Sequence, residues 1–123
     1  MLKSLLLVGI GSFCGGALRY YISTLMKNLC NQGFPWGTLL VNLVGCLLIG
    51  IVFGLFSKMG TQRSSWCLIL TAGFCGGFTT FSAFANESVQ MLQSGNTLNL
   101  IIYISTSVIV GIALVALGYW IVK

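Results

Sequence analysis

Apolar residues run almost without interruption through four stretches of the chain, roughly Leu5 to Met26, Gly37 to Ser57, Trp66 to Leu92 and Leu98 to Val122. A helix needs about 20 apolar residues to cross the hydrocarbon core of a bilayer, so each stretch predicts one membrane span. Polar residues collect in the joints. Lys58 to Ser65, with Gly60, Thr61, Gln62 and Arg63, reads as a connector, and Gly95-Asn96 as a tight turn. Gly33, Pro35, Trp36 and Gly37 mark the start of the second span at an interface. The pattern predicts an all-α membrane protein, with residues 1–123 forming a single transmembrane domain. Met-Leu-Lys-Ser ahead of an apolar run could open a signal peptide, but the run is too long and lacks a small-x-small cleavage pattern, so it is expected to be the first span.

The third stretch departs from uniform oiliness. Gly73-Phe-Cys-Gly-Gly-Phe-Thr-Thr-Phe-Ser-Ala-Phe-Ala-Asn-Glu87 places paired glycines, hydroxyls and a carboxylate at membrane depth. Glycine holds a helix weakly, and Thr79, Thr80 and Ser82 can bond freed backbone groups, so a break is expected around residues 75 to 79. In hydrocarbon such a break is tolerated only where protein or a wet cavity surrounds it. The carbonyls of Gly76 to Thr79, left without helical donors, could then ligate a hard cation; the alternative is an unbroken helix packed through its glycines.

Other polar positions leave their roles open. Gly11 and Gly15 form a small-xxx-small face for close helix packing. Arg19 lies roughly 20 Å along the helix from Ser4, near enough to a boundary to snorkel or pair, or to draw anions into a vestibule. Asn42 shares a face with Thr38 and serves as interhelical glue or as a donor lining a pore. Phe74, Phe78, Phe81 and Phe84 recur at helical spacing, the pattern of ordinary packing. Alternatively, Phe81 and Phe84 turn electropositive ring edges toward a small anion. Glu87 caps, pairs with Arg19 or Lys27, or sits in a wet mouth. In the fourth span Tyr103, Ser107 and Gly111 share a face, and the hydroxyls there bond the preceding turn or line a pathway.

Composition narrows the functions available. The chain is 57% hydrophobic and 6% charged over 123 residues. A net charge of +5 would suggest nucleic acid in a soluble protein, but here most cations sit at span ends, as anchors at lipid headgroups do. With the N-terminus cytoplasmic, Lys3, Lys58, Arg63 and Lys123 lie inside and Lys27 outside, a mild bias that fixes orientation weakly. One Glu, no Asp and no His preclude a carboxylate pair, a Ser/His/Asp triad or a His-ligated metal within one copy, so no enzyme is expected. Cys14, Cys30, Cys46, Cys67 and Cys75 form no Cys-x-x-Cys pair and read as small apolar side chains.

Three motifs in order, Gly15-Gly-Ala-Leu-Arg19-Tyr20, Gly37-Thr-Leu-Leu-Val-Asn42-Leu-Val-Gly45 and the Gly73 to Phe84 stretch followed by Glu87, resemble those of the bacterial fluoride channel family (Fluc, also called CrcB). The resemblance covers the whole chain. It implies four spans with a break in the third, an antiparallel dual-topology homodimer in the bacterial inner membrane, and two fluoride pores along the subunit interface. It also implies a structural sodium ion held by main-chain carbonyls of Gly76 and Thr79 from each copy. By motif position Phe81, Phe84, Asn42, Thr80, Ser82 and, more loosely, Ser107 border the pores, and Arg19 and Glu87 supply vestibule charge. The function implied is passive, fluoride-selective export protecting against fluoride toxicity. Ser82-Ala83 departs from the family's common Ser-Thr and removes one hydroxyl.

Two other classes compete. A small dual-topology exporter of cationic drugs has the same span count but needs a carboxylate in its first span, which is absent here. A non-transporting assembly subunit would leave Asn42, Ser82 and Glu87 without purpose.

Overall fold

A computed structural model of the chain describes residues 1–29, 34–60 and 64–122. Cys30, Gly33, Thr61, Gln62, Arg63 and Lys123, which figured in the sequence expectations, lie outside the described residues. Four membrane-length helical segments account for nearly all of the rest, Leu2–Leu29, Trp36–Met59, Ser65–Gln93 and Thr97–Ile121. The first and second are α1 (Leu2–Leu29) and α2 (Trp36–Met59). The third is composite: α3 (Ser65–Leu68), a π-wound stretch Ile69–Cys75, α4 (Gly76–Phe78) and α5 (Phe81–Gln93). The last is α6 (Thr97–Ile121).

Local chemistry sets the ends of these helices. Ser64 caps α3 by accepting the Cys67 N–H at 3.1 Å. α5 ends in a Schellman arrangement, with the Asn96 N–H on the Met91 carbonyl (3.0 Å), the Gly95 N–H on the Leu92 carbonyl (3.3 Å) and Gly95 at φ 81°. Only glycine adopts that left-handed conformation cheaply, so the turn into α6 falls where Gly95-Asn96 predicts it.

Glycine seams hold the segments together in two pairs. A Cβ on Gly11 would come within 2.6 Å of the Ile69 carbonyl oxygen, and one on Gly15 would strike the Phe74 carbonyl. From the other side, a Cβ on Gly77 would come within 2.7 Å of the Ser12 carbonyl. As residue numbers rise in α1 they rise in its neighbour, so α1 and the first half of the third span run parallel. α2 and α6 pair in the same way: Gly50 abuts Val115, Gly54 abuts Tyr119, and a Cβ on Gly118 would come within 2.7 Å of the Leu47 carbonyl. Gly37 meets Ser23 and Met26 to join α1 and α2 antiparallel. Lipid tails are as apolar as leucine, so association in a bilayer depends on such close approach rather than on a hydrophobic core.

The buried apolar cluster is accordingly small, with Leu39, Met91 and Tyr103 at its centre and Phe34, Leu43, Phe84 and Leu100 packed around them. Elsewhere the surface is studded with exposed Leu, Ile, Val, Phe, Tyr and Trp, the exterior expected of a protein solvated by lipid.

Candidate functional site

The third span breaks at Thr79 and Thr80, at the late edge of the window the glycines predict. Thr79 (φ −87°, ψ 157°) and Thr80 (φ −149°, ψ 121°) are extended, and α5 restarts at Phe81. Gly76 and Gly77 themselves stay helical. Gly77 serves close packing against α1, whereas a Cβ on Gly76 would meet only the Thr71 carbonyl of its own span at 3.7 Å, and the break falls on the two threonines, where polar side chains can take over the freed backbone groups.

Two diverted hydrogen bonds define the break. In a continuous helix the Gly76 carbonyl would accept the Thr80 N–H, but that N–H donates to Asn42 Oδ1 at 2.8 Å. The Thr79 carbonyl would accept the Ala83 N–H, which instead donates to Thr80 Oγ1 at 3.3 Å as the N-terminal cap of α5. Asn42 Nδ2 also donates to the Thr80 carbonyl at 3.1 Å, so one amide grips both backbone groups of Thr80. Of the two roles open to Asn42, the interhelical bond is the one the geometry displays, and it leaves one Nδ2 hydrogen uncommitted.

Arg19 Nε donates to the Gly77 carbonyl at 3.2 Å. This corrects the expectation that all four carbonyls from Gly76 to Thr79 stand free, because Gly77 has a partner. It also answers where a guanidinium within a span finds compensation: it covers backbone exposed beside the break. Gly76 and Thr79 are thus the carbonyls whose helical donors have been taken by Asn42 and Thr80. Neutral main-chain oxygens of this kind suit a hard cation, and sodium is compatible with them. Among the described residues these are the two freed carbonyls whose residues border the groove beside the break, and two oxygens are too few to enclose such a cation.

A groove of about 360 Å³ runs past this break, bordered by Asn42, Gly76, Thr79, Thr80, Phe81, Phe84 and Ser107 among others. Seven of the ten candidate residues therefore meet in one place. Ser82 lies beside it, its hydroxyl 3.2 Å from Thr80 Oγ1. The two phenylalanines differ: Phe84 is held by Tyr103, ring centroids 5.0 Å apart, whereas Phe81 is 78% exposed, with only Phe84 as an aromatic neighbour at 5.7 Å. Phe74 and Phe78 stack on each other at 5.7 Å, and Phe78 is buried, the ordinary packing role.

Glu87 is separate from Arg19. It lines a second cavity of about 520 Å³ together with Lys27, Thr38, Gln90 and Trp36. Among the described residues, Glu87 Oε1, Tyr103 Oη and Ser107 Oγ are buried without a hydrogen-bond partner. The Thr38 and Tyr103 hydroxyls face Glu87 without closing a bond of ordinary geometry. Of the two roles left open for the span-four hydroxyls, Ser107 does not make the bond to the preceding turn and borders the groove instead. Back-bonding does occur at Thr71, Thr79 and Ser88. Sequence reasoning missed Ser12, whose hydroxyl donates to the Gly73 carbonyl at 3.3 Å; its place beside Gly11 on the small-residue face was the available signal.

Residues 6–119 match the family described as "CrcB-like protein, Camphor Resistance (CrcB)". Curated relatives named "Fluoride-specific ion channel FluC" include one from Phocaeicola vulgatus, 45% identical over 119 residues, covering 97% of this chain and 98% of the relative. One from Leptospira interrogans is 41% identical over 121 residues, covering 98% and 95%. Another, from Flavobacterium psychrophilum, is 38% identical over 122 residues, covering 99% and 98%.

Proposed function

The chain belongs to the CrcB family, and from that premise we infer that it is a fluoride channel, a multi-pass protein of the bacterial membrane rather than an enzyme. The carrying observation is the groove that joins Asn42, Thr80, Phe81, Phe84 and Ser107 beside a break in a membrane span. Fluoride is small and tightly hydrated, so a path for it must replace water with donors and positive ring edges while remaining too tight for chloride. The second Nδ2 hydrogen of Asn42, the Thr80 and Ser82 hydroxyl hydrogens, and the edge of Phe81 can make those contacts in turn. Thr80 Oγ1 already accepts from the Ala83 N–H, which turns its own hydrogen outward to Ser82 or to the anion. An inside-negative potential favours exit of one anion by ~2.3 kcal/mol per 100 mV, so passive conduction suffices for export.

The working unit in this reading is an antiparallel homodimer. Its support is incompleteness: the groove is open on one side, Phe81 lies on its bare face, and Gly76 and Thr79 furnish only half of a four-oxygen cage. Two inverted copies would give that cage to a structural sodium ion, which would tie the two breaks together. Arg19 and Glu87 would then charge the approaches to the pores.

Fluoride efflux from reconstituted vesicles, followed with a fluoride electrode, tests the function. Fluoride is expected to leave while chloride stays, and Phe81→Ile to stop the flux with the protein still folded. Chloride passing as readily as fluoride would overturn the selectivity, and retention of flux by Phe81→Ile would overturn the placement of the path.

A further inference from the structure

Where α2 and α6 end side by side, a cavity of about 360 Å³ opens between Gly54, Ser57, Lys58, Ala116, Tyr119 and Trp120. It is far along both helices from the break and has no part in the fluoride path. Gly54 brings the helices together there, since a Cβ on it would come within 3.1 Å of the Tyr119 Cα, and the space lies past that contact. Among the described residues the polar side chains around it are a hydroxyl, an ammonium, a phenol and an indole N–H, all able to donate, with no carboxylate. The chain's single acidic residue, Glu87, belongs to another cavity. Part of the negative end of α2 and of α6 is taken up locally, the Gly60 N–H covering the Phe56 and Ser57 carbonyls and the Val122 N–H that of Trp120, and the Lys58 ammonium offsets the remainder. Trp120 is 76% exposed, as an interfacial anchor is.

We propose that this cavity seats the phosphate of an anionic phospholipid, with Lys58 as counter-charge, Ser57 and Tyr119 as hydroxyl donors, and Trp120 against the glycerol and upper acyl chain. A membrane boundary offers that chemistry at high local concentration, and a cavity whose polar side chains can all donate, one of them a cation, is complementary to it.

The test uses the full chain with Trp36→Phe and Trp66→Phe, which leaves Trp120 as the sole tryptophan. It is reconstituted into vesicles of phosphatidylcholine and phosphatidylglycerol, one lipid at a time carrying brominated chains. One basic residue at a lipid surface corresponds to about a fivefold preference, so brominated phosphatidylglycerol should quench Trp120 as if enriched about fivefold over phosphatidylcholine. Lys58→Gln should abolish the preference, Tyr119→Phe should reduce it, and Lys3→Gln, which removes a charge elsewhere, should leave it intact. Equal quenching by the two lipids, or loss with Lys3→Gln as large as with Lys58→Gln, would overturn the site. Loss of the preference on adding inorganic phosphate would assign the cavity to free phosphate and overturn the lipid. No fluoride is present, so the outcome is independent of channel activity.

Discussion

The two halves of the third span obey different rules although they follow one another in the chain. From Ser65 to Phe78 the backbone is pressed into the glycine seam of α1, and Cys67, Thr71, Gly73, Cys75 and Phe78 are all buried. Its irregular turns are attended by α1, Ser12 on Gly73 and Arg19 on Gly77, and by its own Thr71 on Cys67. From Phe81 to Gln93 only Met91 is buried, Phe81 stands out, and Glu87 carries an unpartnered oxygen. Apart from the Gly76 carbonyl at its end, the first half is packed and bonded within one copy. The second half buries a carboxylate oxygen of Glu87 that has no partner among the described residues, as expected of a surface that meets water, ions or a second copy. The join between them is Thr80, whose backbone is held by Asn42 of α2.

Breaking the first half should have the largest effect. Gly15→Val drives a branched side chain into the Phe74 carbonyl, a backbone atom that cannot step aside, and overpacking of this kind costs ~1–3 kcal/mol or more. The expected outcome is loss of monodisperse protein in size-exclusion chromatography, with no fluoride flux left to measure. At the join the effect is intermediate. Asn42→Ala removes two part-buried hydrogen bonds to Thr80, about 0.5–1.5 kcal/mol each where groove water can replace them, and lowers both thermal stability in detergent and fluoride flux. Asn42→Asp retains the acceptor for the Thr80 N–H and should fall between wild type and alanine; equal damage from both would deny the two-sided grip. Smallest is Tyr103→Phe. Its hydroxyl has no partner, so removal should change stability by under ~0.5 kcal/mol, and any loss of flux beyond that would show the hydroxyl serving the conduction path directly.

The spans were legible because hydropathy in lipid is a strong constraint: α2 and α6 begin within a residue of where the apolar runs do. The existence of the break was readable from Gly76-Gly77 and the threonines after them. Its place was less so, since glycine serves equally for flexibility and for close approach, and here the approach to Ser12 claims Gly77. The π-wound stretch Ile69–Cys75 was not legible, since one extra residue in a turn changes neither the length nor the hydropathy of the apolar run. Arg19 illustrates the same limit. Its cost in a membrane was evident, but its partner is a carbonyl 58 positions away that only the fold brings near.

Whether a second copy completes what Thr79 and Thr80 open is tested most directly by a cryo-EM map of the assembled protein in sodium-containing lipid nanodiscs. Two oppositely directed copies are predicted, with ion density among the four carbonyls of Gly76 and Thr79 and grooves closed by Phe81 and Phe84. Copies pointing the same way, or a helix running unbroken from Ser65 to Gln93, would contradict it.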